Sequence, residues 1–221
     1  MKKLCGRYVL VSAYEVIENA CVVFDEKIVA VEKGDNISED TVVTHGFASI
    51  HTHLGLYPIR TTLDSYLRLD EWVRKCVWPW ERYLRQEPEL SYASAVLALS
   101  KLVLSGVTAV ADMHFNEDLV AEAFLRIGVR GDLSVAIMSK GVYESLDEAL
   151  RDNLELARKL RSSDLLKVRL GPTTPRLLTP EEFKKVVEVA GEIGVGIHTH
   201  IAEVPDDAEY LKRERGMSLK D

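Results

Sequence analysis

The chain has 221 residues, a formal net charge of −7 and a sequence pI near 5.5, with 47% hydrophobic and 29% charged residues. These proportions suit a globular protein with apolar surface to bury, and the acidic balance excludes a duplex nucleic-acid binder, which needs a basic face. No apolar run approaches the ~20 residues of a bilayer span, and no apolar segment with a cleavage site follows Met1-Lys2-Lys3, so a cytoplasmic protein without a membrane partner is expected.

Residues 1–44 read as a small β unit. Tyr8-Val-Leu-Val-Ser12 has strand composition, and Cys21-Val-Val-Phe24 and Ile28-Val-Ala-Val31 flank a polar Asp25-Glu26-Lys27 turn, a hairpin signal. Gly34-Asp35-Asn36 then breaks the pattern. A unit this small buries little core alone and needs partner strands. Cys5, Cys21 and Cys76 are widely spaced and form no Cys-x-x-Cys, which predicts isolated thiols in a reducing compartment.

From residue 45 the grammar becomes strand, loop, helix, repeated. Strands are predicted at 47–50, 107–112, 133–137, 166–170 and 195–200. Between the first two lie a loop and helix rich in tryptophan (Trp72, Trp78, Trp80) and a helix over 91–104 that stops at Gly106. A helix over 118–127 ends at Gly128, and Ser145 caps another that runs to about 161. Thr179-Pro-Glu-Glu182 is a capping box that opens a helix ending near Gly194, and a last helix covers about 206–215.

Alternating strands and helices mean a parallel sheet with right-handed crossovers. The first strand is not followed by the glycine-rich turn of a dinucleotide-binding sheet. Polar residues instead gather at strand C-termini: His51 and His53, Asp112 and His114, Thr173, then His200 and Glu203. Barrel enzymes place their chemistry there. The expected fold is therefore α/β, with residues 45–221 forming the first five strands of a distorted (β/α)8 barrel after the β unit of 1–44.

His51 and His53 are two apart on a strand, so their side chains share a face and can reach one ion. His198 and His200 repeat the arrangement on the fifth strand, with Glu203 three residues on. Four of the six histidines thus fall in two strand-end pairs, which chance placement explains poorly. A metal that activates water, beside a carboxylate that moves its proton, is the chemistry such a set supports.

These segments resemble the amidohydrolase superfamily, in particular its cytosine deaminase-like branch. The resemblance rests on Gly46-Phe-Ala-Ser-Ile-His-Thr-His-Leu54, Gly106-Val-Thr-Ala-Val-Ala-Asp-Met113, His198-Thr-His-Ile-Ala-Glu203 and the Leu69-Asp-Glu-Trp72 to Trp78-Pro79 stretch. It implies a barrel beside a small β-sandwich. It also implies one Zn²⁺, or Fe²⁺, on His51, His53 and His200, with Glu203 as the proton carrier. The implied reaction is hydrolysis of a non-peptide C–N bond, deaminating a small purine- or triazine-like heterocycle.

Trp78, His114 and Arg176 are candidate substrate contacts, each with packing or solvated charge as the plainer reading. His198 is expected to support or pack rather than ligate. Thr173 follows Gly171-Pro172 where deaminases of this branch commonly carry histidine, and His45 stands where proline is usual. Nothing here corresponds to the family's strand-six histidine and strand-eight aspartate. The rival expectation is therefore a catalytically incomplete metal-binding chain that self-associates or takes a complementing C-terminal chain. A metal-dependent phosphoesterase barrel also uses His-x-His but leaves His198 to Glu203 unexplained.

Overall fold

A computed structural model describes residues 1–34, 37, 40–61, 67–143, 145–218 and 220, so Asp35 and Asn36 of the expected chain break lie outside the described residues. The chain divides into two compact units, Met1–Phe47 and Ala48–Asp221.

The first unit is a four-stranded sheet of order β3-β2-β1-β4, formed by β1 (Lys2–Ser12), β2 (Glu15–Phe24), β3 (Ile28–Lys33) and β4 (Val42–Val43). The β2–β3 hairpin closes across the Asp25–Lys27 turn as the sequence predicts. A tighter hairpin joins β1 to β2 through residues 13 and 14, which carry no glycine or asparagine to announce a turn. Its register sets Cys5 opposite Cys21, and the two sulfurs are bonded, with Cα atoms 4.0 Å apart. The expectation of isolated thiols therefore fails for this pair. Cys76 remains a free thiol. Val9, Ala20 and Val43 form the small core of this sheet, and His45 points its Nε2 at the Val11 carbonyl, 2.9 Å away.

In the second unit, β5 (Phe47–Thr52), β6 (Val107–His114), β7 (Arg130–Ile137) and β8 (Leu166–Val168) lie in that order, and β9 (Gly171–Pro172) also pairs with β7. The ladders β6–β7, β7–β8 and β7–β9 are parallel. The helices are α1 (Leu69–Trp72), α2 (Trp78–Gln86), α3 (Glu89–Leu104), α4 (Glu117–Ile127), α5 (Leu146–Leu160), α6 (Pro180–Ile193) and α7 (Asp207–Tyr210). Among the described residues, no helix is long and apolar enough to cross a membrane.

The helix signals acted as read. Ser145 accepts from the Glu148 N–H, the Thr179–Glu182 box is reciprocal, and Gly128 and Gly194 end their helices at φ 81° and 72°, where a Cβ would be strained. Pro79 has no N–H for the Lys75 carbonyl, and α1 meets α2 through a widened, π-type turn over Val73–Val77. Buried Leu99, Phe124, Leu133, Ile137, Leu166, Leu170 and Val186 fill one core between the sheet and its helices.

The fourth and fifth strands are less regular than expected. The fourth is split into β8 and β9, which hold the same register on β7, while Leu170 between them turns its bonds toward the next segment. The fifth reduces to a single parallel bridge, Leu170 to Ile197. His198 N–H bonds to the Leu170 carbonyl and His200 N–H to the Thr173 carbonyl. Those acceptors are three residues apart and the donors two, and the intervening Pro172 has no N–H to give. A regular ladder cannot run there.

Candidate metal centre

The sheet brings three imidazole edges to one point. His51 Nε2 lies 3.2 Å from His53 Nε2, which lies 3.1 Å from His200 Nε2, and one nitrogen of each ring falls within 4.8 Å of the other two. The opposite edges show what these contacts are. His53 Nδ1–H donates to the Met113 carbonyl at 2.6 Å, and His200 Nδ1–H donates to the Thr173 carbonyl at 2.7 Å. A carbonyl only accepts, so both ring protons sit on Nδ1 and both Nε2 atoms present lone pairs. Two lone pairs 3.1 Å apart repel unless a cation stands between them.

Burial supports this protonation state. It pushes His53 down to about 3 and His51 down to about 4, with the neighbouring imidazoles adding to the effect at His51. Neutral, inward-facing imidazoles are the form a metal takes. Tetrahedral Zn²⁺, with Zn–N of about 2.0–2.1 Å, spaces its nitrogen donors about 3.3 Å apart, so the donor set fits such an ion.

The segment carrying His51 and His53 is braced from β6. Asp112 Oδ1 accepts from Leu54 N–H and lies 2.8 Å from the Thr52 hydroxyl, gripping the backbone on either side of His53. Burial, together with the charge of the neighbouring Asp112, pushes the Glu117 carboxyl well above the usual carboxylate range. His198 stands behind His51, its Nε2 2.8 Å from His51 Nδ1 and its Nδ1 3.1 Å from the Ser134 hydroxyl.

The other predicted residues are more scattered. Glu203 is exposed on the loop after His200, where Ala202 takes φ 54°. Arg176 bonds to Asp207 at 2.6 Å and lies over the Tyr210 ring, while Asp207 accepts from Val204 N–H. Arg176 therefore steadies the segment just beyond Glu203. Trp78 is half-buried against Gly141, with Arg82 near its ring. His114 is buried with its ring centre 6.5 Å from that of His53 and its Nε2 3.6 Å from Glu81.

The His114 ring lies so close under the first loop that a Cβ on Gly55 would clash with its Cε1, Nδ1 and Nε2 atoms. Gly55→Ala should therefore destabilise the protein by about 1–3 kcal/mol, since a ring buried on every side has nowhere to go. Denaturant melts would check this, and an unchanged midpoint would show that the loop yields freely.

Sequence reasoning missed Ser134 and the carbonyls of Met113 and Thr173. A lone hydroxyl inside the apolar run 133–137 was the available signal for Ser134; the carbonyls leave no mark on a sequence.

A parallel sheet packed by helices, with three histidines converging at the strand C-terminal ends, is the arrangement of a partial α/β barrel with a candidate metal site. The chain belongs to the amidohydrolase family, whose sequence model matches residues 42–220. Among its relatives, a 5'-deoxyadenosine deaminase of Methanopyrus kandleri is 31% identical over 212 residues, covering 96% of this chain and 47% of that protein. A 5-methylthioadenosine/S-adenosylhomocysteine deaminase of Thermoanaerobacter pseudethanolicus is 33% identical over 190 residues, covering 84% and 43%. The crystal structure of an adenosine deaminase from Xanthomonas campestris with bound zinc shares the fold, with TM-score 0.87 and 22% identity over 99% of this chain and 53% of that one. The chain thus spans about half the length of the proteins it matches.

Proposed function

We propose that the chain carries the metal site of a hydrolase that removes the amino group from a purine-like ring, with Zn²⁺, or alternatively Fe²⁺, on His51, His53 and His200. The observation that carries this reading is the convergence of the three Nε2 atoms, two of them with lone pairs fixed by backbone carbonyls. The bound ion would supply an acidified water. Glu203 would exchange protons with that water and with the ring nitrogen of the substrate. The names of the two deaminase relatives, which act on 5'-deoxyadenosine and on 5-methylthioadenosine or S-adenosylhomocysteine, support a small heterocycle as the substrate. Trp78 and His114 are proposed to line its pocket, and Arg176 to act through the segment it steadies beside Glu203.

One observation favours a second reading. Among the described residues the cluster holds three histidines and no carboxylate, and His51 is exposed. Such a site can bind metal yet turn over only when a second copy or another polypeptide supplies a further group.

Metal analysis tests the shared part of both readings. The purified chain should carry close to one equivalent of Zn²⁺ or Fe²⁺, and a His51→Ala, His53→Ala double variant should lose most of it, because two of three donors are gone. Unchanged metal content in the variant sinks the assignment. Ammonia release from 5'-deoxyadenosine or methylthioadenosine then separates the two readings.

A further inference from the structure

Two of the three histidines have their ring protons fixed by main-chain carbonyls, which no side-chain substitution removes. His51 is different. Its Nδ1 faces His198 Nε2 at 2.8 Å, and one hydrogen lies between them. If His198 donates that hydrogen, His51 must keep its own proton on Nε2, aimed at His53 Nε2 3.2 Å away, and the third metal donor is lost. If His51 donates, its Nε2 is bare.

The far side of His198 sets the direction. Its Nδ1 is 3.1 Å from Ser134 Oγ, and that buried hydroxyl gives its own proton to the Asp112 carbonyl at 3.2 Å. A hydroxyl that donates to this carbonyl can only accept from the imidazole, and the His198 hydrogen then sits on Nδ1. A neutral imidazole carries one such hydrogen, which leaves His198 Nε2 as an acceptor for His51. All three donations then run one way, from His51 to His198, to Ser134, to the backbone of β6.

We propose that His198 and Ser134 are positioning residues that fix the tautomer of His51 and thereby make it a metal donor. The inference rests on the metal reading above, because the tautomer matters only if Nε2 receives an ion. Partners that orient a metal-bound histidine in this way typically contribute about 10–100-fold to metal affinity.

The test uses the whole chain at pH 8, where histidine is ordinarily neutral. In the metal-free protein labelled with nitrogen-15 histidine, long-range proton–nitrogen spectra should place the His51 proton on Nδ1, and His198→Leu should move it to Nε2. Co²⁺ affinity should fall about 10–100-fold in His198→Leu. His198→Gln, whose amide oxygen can still accept from His51, should recover most of the loss, and Ser134→Ala should fall between. A wild-type His51 protonated on Nε2, or equal losses in the Leu and Gln variants, overturns the proposal. A wild-type chain that binds no Co²⁺ defeats the metal reading instead, while the spectra still decide the tautomer.

Discussion

Glu203→Gln is expected to keep its metal and to lose at least ~10²-fold in deamination rate, the usual contribution of a positioned proton carrier. The bonds that orient the histidines come from Met113, Thr173 and His198, so an amide at position 203 leaves the donor set intact. Its size is that of the carboxylate, but it neither takes a proton from water nor returns one to a ring nitrogen. The loss should therefore appear in kcat with little change in metal content, measured on the protein in whatever assembly turns over. Near-normal turnover in this variant would place the proton carrier elsewhere. A large loss of metal would instead give Glu203 a structural part in the site.

Much of the site was legible because strand geometry writes a period of two into the sequence. His51 and His53, and again His198 and His200, share a face for that reason alone. The helices were legible through their ends, where Ser145, Thr179, Gly128 and Gly194 act on the backbone locally. What stayed hidden depends on partners distant in sequence. The Cys5–Cys21 bond needs a register set by a turn with no turn residues. The weak fifth strand follows from a mismatch around Pro172, which only the pairing reveals. The partners that distinguish His198 from His200, a serine 64 residues away and the Thr173 carbonyl, are likewise seen only in the fold.

Glu81→Gln is expected to stabilise the metal-free protein, and by more at pH 8 than at pH 6.5. Glu81 lies buried on α2, 3.6 Å from His114, a spacing that on the surface would suggest an ion pair. Burial acts against both charges. It lifts Glu81 from 4.5 to about 8, against the pull of Arg82, and lowers His114 to about 4. Near neutral pH both groups are therefore uncharged in the folded state.

The sign follows from proton binding. Unfolded, Glu81 loses its proton near 4.5; folded, it keeps it to about 8. Between those values the native state holds the extra proton, so stability falls as pH rises, by up to about 1.4 kcal/mol per pH unit. The histidines slope the other way. The lowered values of His51 and His114 give stability that is present above 6.5 and lost as pH falls through about 4, so from pH 6.5 to 8 they add little slope, and the same in variant and parent. Gln cannot ionise, and the melting-temperature gap between variant and parent should widen over that interval. The gap should grow by about 2 kcal/mol, or roughly 4–8 °C for a chain of this length. Melts in a chelator at pH 6.5, 7.25 and 8 would measure it. A constant gap would mean that Glu81 is already ionised in the native protein, and that the contact with His114 is an ion pair after all.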